Sequence, residues 1–112
     1  PVAFIDFDLA APGDPLEDLG YMAWTWCVAS KPEFPPPAAQ AAQLRPLADA
    51  YGLAPGRRPG LADAIVERQT RNMRFWHARL ADVPEARERS AWSERERRYT
   101  LACGAAFLTA LR

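Results

Sequence analysis

Residues 4–24 read FIDFDLAAPGDPLEDLGYMAW, and this stretch decides the reading of the whole 112-residue chain. It sets Asp6, Asp8, Asp14 and Asp18 among apolar neighbours. Aspartate is seldom buried unless it is paired or satisfied by a specific partner. Val2 to Phe7 combines β-branched Val2 and Ile5 with aromatic Phe4 and Phe7, which predicts a short buried strand. Asp14-Pro15-Leu16-Glu17 then predicts a helix start. Asp14 suits the N-cap, Pro15 the first helical position, and Glu17 completes an Asp-x-x-Glu variant of the capping box. Asp18 lies on the first helical turn, where the helix dipole favours negative charge.

Downstream, every strong pattern is helical. The first helix is expected to run to about Ala29, with Leu16, Leu19, Gly20, Ala23, Trp24 and Cys27 at helical spacing. SKPEFPPP, residues 30–37, reads as an extended connector. Ala38 to Tyr51 is helical, with Pro46 either kinking it or marking its true start, and Gly52 ending it. Leu61 to Ala81 carries the stripe Leu61, Ile65, Met73, Trp76 and Leu80, and Glu67 with Arg71 forms an i,i+4 pair. A further helix begins near Pro84. Ser93 with Glu96 reads as a second capping box, opening a helix to Leu111 whose end is apolar nearly all round and so expected to be buried. Gly104 within it suggests a close helix contact. The predicted fold is mainly α: one N-terminal strand followed by four to five helices. A lone strand leaves unpaired backbone groups at both edges. A homo-oligomer formed through that strand, or through exposed helix faces, is therefore expected.

Composition narrows the function. The apolar fraction of 49% and charged fraction of 25% suit a globular domain. The formal net charge is zero, yet residues 1–56 carry seven acids and two bases, whereas residues 57–112 carry twelve bases and seven acids. The basic half alternates Arg with Glu, as in Glu94-Arg95-Glu96-Arg97-Arg98, which suits a solvated face better than a nucleic-acid site. No apolar run is long enough for a membrane span, and no signal peptide is visible. Cys27 and Cys103 fit reduced core thiols of a cytoplasmic protein, because neither Cys-x-x-Cys nor a zinc spacing exists with the single His77. His77 itself reads as a surface or edge residue. Arg57-Arg58, in a Pro/Gly loop, reads as solvated. The excess of Arg over Lys and the abundant Ala suggest a bacterial source.

A carboxylate at the end of a buried strand is well placed to hold a metal, and magnesium prefers carboxylates together with substrate phosphates. Asp6 holds that position, with Asp8 two residues on. Phe4-Ile5-Asp6-Phe7-Asp8 followed by Gly13-Asp14-Pro15-Leu16-Glu17-Asp18-Leu19-Gly20 closely resembles the aminoglycoside phosphotransferase and choline kinase-like family, relatives of the protein kinases. The helical remainder, including Asp49-Ala50-Tyr51-Gly52-Leu53, resembles that family's C-terminal helical part.

By this resemblance Asp6 matches the aspartate that holds the Mg2+ bridging ATP phosphates. Asp8 stands where the family has an acid or glycine, and a metal role for it stays open. Asp14 matches a capping aspartate. Asp18 matches one that braces the catalytic loop, so these two support the site structurally. Tyr21, Trp24 and Trp26 are candidates to line a substrate pocket, with core packing as their competing use. The family's catalytic loop, His-[Gly/Asn]-Asp-x-x-x-x-Asn, and its ATP-covering N-terminal lobe have no match within residues 1–112. The resemblance thus implies a single partial domain: the C-terminal portion of an ATP- and magnesium-dependent small-molecule kinase, with no catalytic residue of its own. Its partner would be a small hydroxyl-bearing substrate. The competing reading is a non-catalytic helical interaction or oligomerisation module derived from that family.

Overall fold

The computed structural model describes residues 14–112, and these form five α-helices and one 3-10 turn. The helices are α1 (Pro15–Trp26), α2 (Pro37–Tyr51), α3 (Gly60–His77), α4 (Ala86–Ala102) and α5 (Gly104–Leu111), with the turn at Pro55–Arg57. This corrects the expected fold class. There is no strand among the described residues, and the segment expected to form one, residues 2–7, lies outside them. The mainly α part of the expectation agrees with the structure.

Two packing units share one core. α3 lies along α4 and against α1, while α2 packs chiefly on α5. Leu19, Ala23 and Trp24 of α1, Leu44 and Ala48 of α2, Leu61 and Ile65 of α3, and Phe107 and Leu111 of α5 all lie in one buried apolar cluster. Burying one such large side chain contributes roughly 1.5–3 kcal/mol.

α1 ends at Trp26, short of the expected Ala29, yet Cys27, Val28 and Ala29 remain buried. In the connector after them Pro32, Pro35, Pro36 and Pro37 carry no N–H, so side chains take over much of the hydrogen bonding there. Gln40, 1% exposed, accepts from the Ala29 N–H at 3.2 Å and donates to the Ala29 and Pro35 carbonyls at 2.9 and 2.8 Å. α2 starts at Pro37, so Pro46 stands inside it and not at its start. Gly52 ends α2 with φ of 90°, and the Leu53 N–H returns to the Ala48 carbonyl at 3.0 Å. That left-handed cap is open to glycine at little cost.

The second expected capping box is not one. α4 runs unbroken through Ser93 and Glu96, and both are buried mid-helix. Ser93 Oγ donates to the Arg89 carbonyl at 2.9 Å and accepts from Asn72 Nδ2 at 2.8 Å. Glu96 reaches across to Ser30, accepting from its N–H at 3.2 Å and from its hydroxyl. The Ser-x-x-Glu pattern thus serves tertiary partners on α3 and on the connector. α5 is also less buried than expected. Phe107 and Leu111 are buried, but Ala105, Ala106 and, at the end of α4, Leu101 are exposed, and a Cβ on Gly104 would meet open space. The close helix contact is made by Gly20 of α1 instead.

The stripe on α3 also changes along its length. Leu61 and Ile65 are buried, Met73 and Trp76 half-buried, and Leu80 lies beyond the helix end on the surface. Gln69 is fully buried between Ile65 and Met73 and donates to Thr100 Oγ1 at 2.9 Å. Cys27 is buried and Cys103 half-buried, and both are free thiols. Burial pushes the Cys27 thiol above its usual range. No helix among the described residues is long and apolar enough to cross a membrane.

Candidate functional site

The motif enters the described structure at Asp14. Its backbone is extended, at φ −65° and ψ 129°, as an N-cap requires. Its Oδ1 accepts from the Leu16 N–H at 3.0 Å, and its carbonyl accepts from the Glu17 N–H at 2.8 Å. Glu17 does not complete the box. Its carboxylate lies 3.7 Å from Arg71 Nη2 on α3.

Arg57 closes over the cap from the 3-10 turn, with Nη2 at 2.7 and 2.6 Å from the two Asp14 carboxylate oxygens. Arg58 next to it places Nε 2.7 Å from Asp49 Oδ1 near the end of α2. The two arginines, expected to be solvated, therefore tie one turn to the start of α1 and the end of α2. Each contact is made by one guanidinium nitrogen, Nη2 of Arg57 and Nε of Arg58. No spacing rule in sequence pairs Asp14 with a residue 43 positions away, so only folding reveals the contact. The Leu16 N–H, followed by Arg57, holds the Asp14 carboxyl below its usual range.

Beside this cap lies a groove of about 420 Å³ between α1 and α3. Asp14, Glu17, Asp63 and Glu67 put four carboxylates around its Leu16, Gly60 and Ala64 floor. Asp18, half-buried on the first turn, lies close enough to Tyr51 that its charge adds to burial in raising the Tyr51 hydroxyl above its usual range. Asp6 and Asp8 lie outside the described residues. Among the described residues, no group of three or more His, Cys, Asp or Glu side chains could hold a metal ion.

A model of the phosphotransferase enzyme family matches residues 1–61. The chain belongs to the phosphotransferase enzyme family. No curated protein and no solved structure matched the chain. The matched span of this phosphotransferase-family chain covers Asp6, Asp8, α1, α2 and the Arg57–Arg58 turn, and ends at the first turn of α3.

In this family member the three aromatic candidates of α1 do not converge. Trp24 is 3% exposed and stacks on Trp92 of α4, with ring centroids 4.9 Å apart and planes 19° from parallel. It belongs to the core. Tyr21 meets the edge of Trp24 at 6.5 Å, and the Arg68 guanidinium sits 4.3 Å above its ring. Trp26, 68% exposed, faces solvent. Periodicity alone could not separate these fates, because the face that a helix buries depends on where its neighbours lie. His77 lines a different cavity, of about 550 Å³, with Met73, Arg74, Arg87 and Glu94 at the far end of the α3–α4 pair.

Proposed function

We propose that residues 1–112 are the C-terminal portion of a small-molecule kinase, which transfers the γ-phosphoryl group of ATP to a substrate hydroxyl. The family match over residues 1–61, which includes Asp6 and the Gly13-Asp14-Pro15 sequence, carries this reading. Asp6 would hold Mg2+, with Asp8 beside it as a second acid. Bound there, the ion would neutralise phosphate charge during transfer.

The described residues have a supporting role in this reading. Asp14 caps α1 and is clasped by Arg57, which ties the start of α1 to the 3-10 turn at Pro55–Arg57. Asp18 would brace the catalytic loop by hydrogen bonding. Residues 1–112 contain no His-x-Asp-x-x-x-x-Asn sequence, so the base that orients the substrate hydroxyl would come from outside them. The 112 residues alone should therefore transfer no phosphoryl group and bind Mg-ATP very weakly.

The test is a radiolabelled-ATP assay with a panel of amino alcohols and aminoglycosides. It compares the 112 residues with a longer form that carries an upstream catalytic loop and nucleotide lobe. Transfer by the longer form alone, abolished by Asp6→Asn, is the expected result. Tight Mg-ATP binding or transfer by the 112 residues would overturn the reading. A longer form that remains inactive across the panel would favour the interaction-module reading, for which exposed Trp26 and Leu101 offer apolar surface.

A further inference from the structure

The outward face of α3 carries charge in a particular order. Leu61, Ile65 and Gln69 are buried, whereas Asp63, Glu67, Arg71 and Arg74 are all exposed. At helical spacing these four fall within an arc of about 80° and span about 16 Å along the axis. Read along the helix they run acid, acid, base, base.

Little within the described residues compensates these charges. The Glu67–Arg71 pair suggested by i,i+4 spacing is not made. Arg71 approaches Glu17 at 3.7 Å instead, with both side chains about half exposed, a geometry worth little in water. Among the described residues Asp63, Glu67 and Arg74 join none of the ion pairs.

A stripe with acids at one end and bases at the other complements itself. Turned end for end about a two-fold axis near Gln69, Glu67 meets the base at position 71 of the second copy, and Asp63 meets the base at position 74. The two guanidinium groups then enter the carboxylate-lined groove between α1 and α3. Exposed Phe75, 47% accessible, is set against the small residues Gly60 and Ala64 of the other copy. A partner of one charge fits less well. A nucleic acid or an anionic membrane would gain from Arg71 and Arg74 but be repelled by Asp63 and Glu67 on the same face. A second copy satisfies both ends twice over, as an isologous contact does.

We propose that the exposed face of α3 is the contact surface of a symmetric antiparallel homodimer, in which Glu67 pairs with Arg71 and Asp63 with Arg74 across the two-fold axis. This does not rest on the kinase reading.

The test measures mass by analytical ultracentrifugation of the 112-residue chain at low and high salt. The expected result is a dimer at low salt whose Kd rises with salt, because exposed pairs are screened. Glu67→Arg and Arg71→Glu should each weaken association about tenfold or more, since each turns two attractions into repulsions. Mixed in equal amounts, the two variants should form a one-to-one heterodimer, as one copy then carries only bases at these positions and the other only acids. The double variant E67R/R71E should recover the homodimer. A wild-type chain that stays monomeric at low salt would overturn the proposal. So would Glu67→Arg associating as tightly as wild type, or helical single variants that stay monomeric when mixed.

Discussion

A Cβ placed on Gly20 would stand 2.8 Å from the carbonyl oxygen of Ala64 and 2.9 Å from its carbonyl carbon. The contact is with α3 backbone, which cannot turn aside as a side chain end could. Gly20 is fully inside α1, where alanine is ordinarily favoured by about 1 kcal/mol. Gly20→Ala should nonetheless destabilise, by about 1–3 kcal/mol, because α1 and α3 must move apart. Urea denaturation followed by circular dichroism checks the sign. A more stable variant would show that α1 and α3 are not held at this separation.

Glu96 and Ser30 join α4 to the connector. Glu96 is 1% exposed and accepts from both the N–H and the hydroxyl of Ser30. Glu96→Ala would leave those donors buried or half-buried without an acceptor, at a cost of about 1–3 kcal/mol. Glu96→Gln keeps one acceptor oxygen and should cost less. Equal losses in the two variants, measured by the same denaturation, would show that hydrogen bonding to Ser30 is not what Glu96 contributes.

The Asp14 carboxyl is lower in the folded chain than the ordinary value of 3.8. On acidification the unfolded chain therefore binds the proton first. Its contribution is present above the ordinary carboxylate range and is lost as pH falls through the lowered folded value. Asp14→Asn keeps a good capping residue and removes the charge that faces Arg57. The thermal midpoint of wild type should exceed that of Asp14→Asn at neutral pH, and the two should converge in acid. Arg57→Ala should reduce the same pH dependence.

Two tryptophans two residues apart on α1 should respond very differently. Trp24 is buried against Trp92, and Trp24→Ala should cost about 3–5 kcal/mol. Trp26 is 68% exposed, and Trp26→Ala should change stability by less than about 0.5 kcal/mol. Near-ultraviolet circular dichroism adds an independent readout, since losing the stacked pair should remove most of the tryptophan signal.

Much of this protein was legible in its residues alone. The Asp14-Pro15 start of α1, the Gly52 end of α2 and the helical character of the second half follow from local rules, because caps and periodicity act within a few residues of each other. The family was legible for a similar reason: its motif is contiguous, between Phe4 and Gly20, and the family match includes it. Pairings between distant residues were not. Ser93-x-x-Glu96 obeys the local rule for a helix start, yet Asn72 and Ser30 claim both side chains and the helix runs through. Arg57 and Arg58 resemble solvated loop charges until folding brings Asp14 and Asp49 within 3 Å of them. Gly20, and not Gly104, makes the close helix approach because only the crossing of α1 over α3 determines which Cβ would collide. Local sequence determined where helices begin and end. The tertiary structure alone decided which of their polar groups face one another, since that depends on the relative placement of elements far apart in the chain.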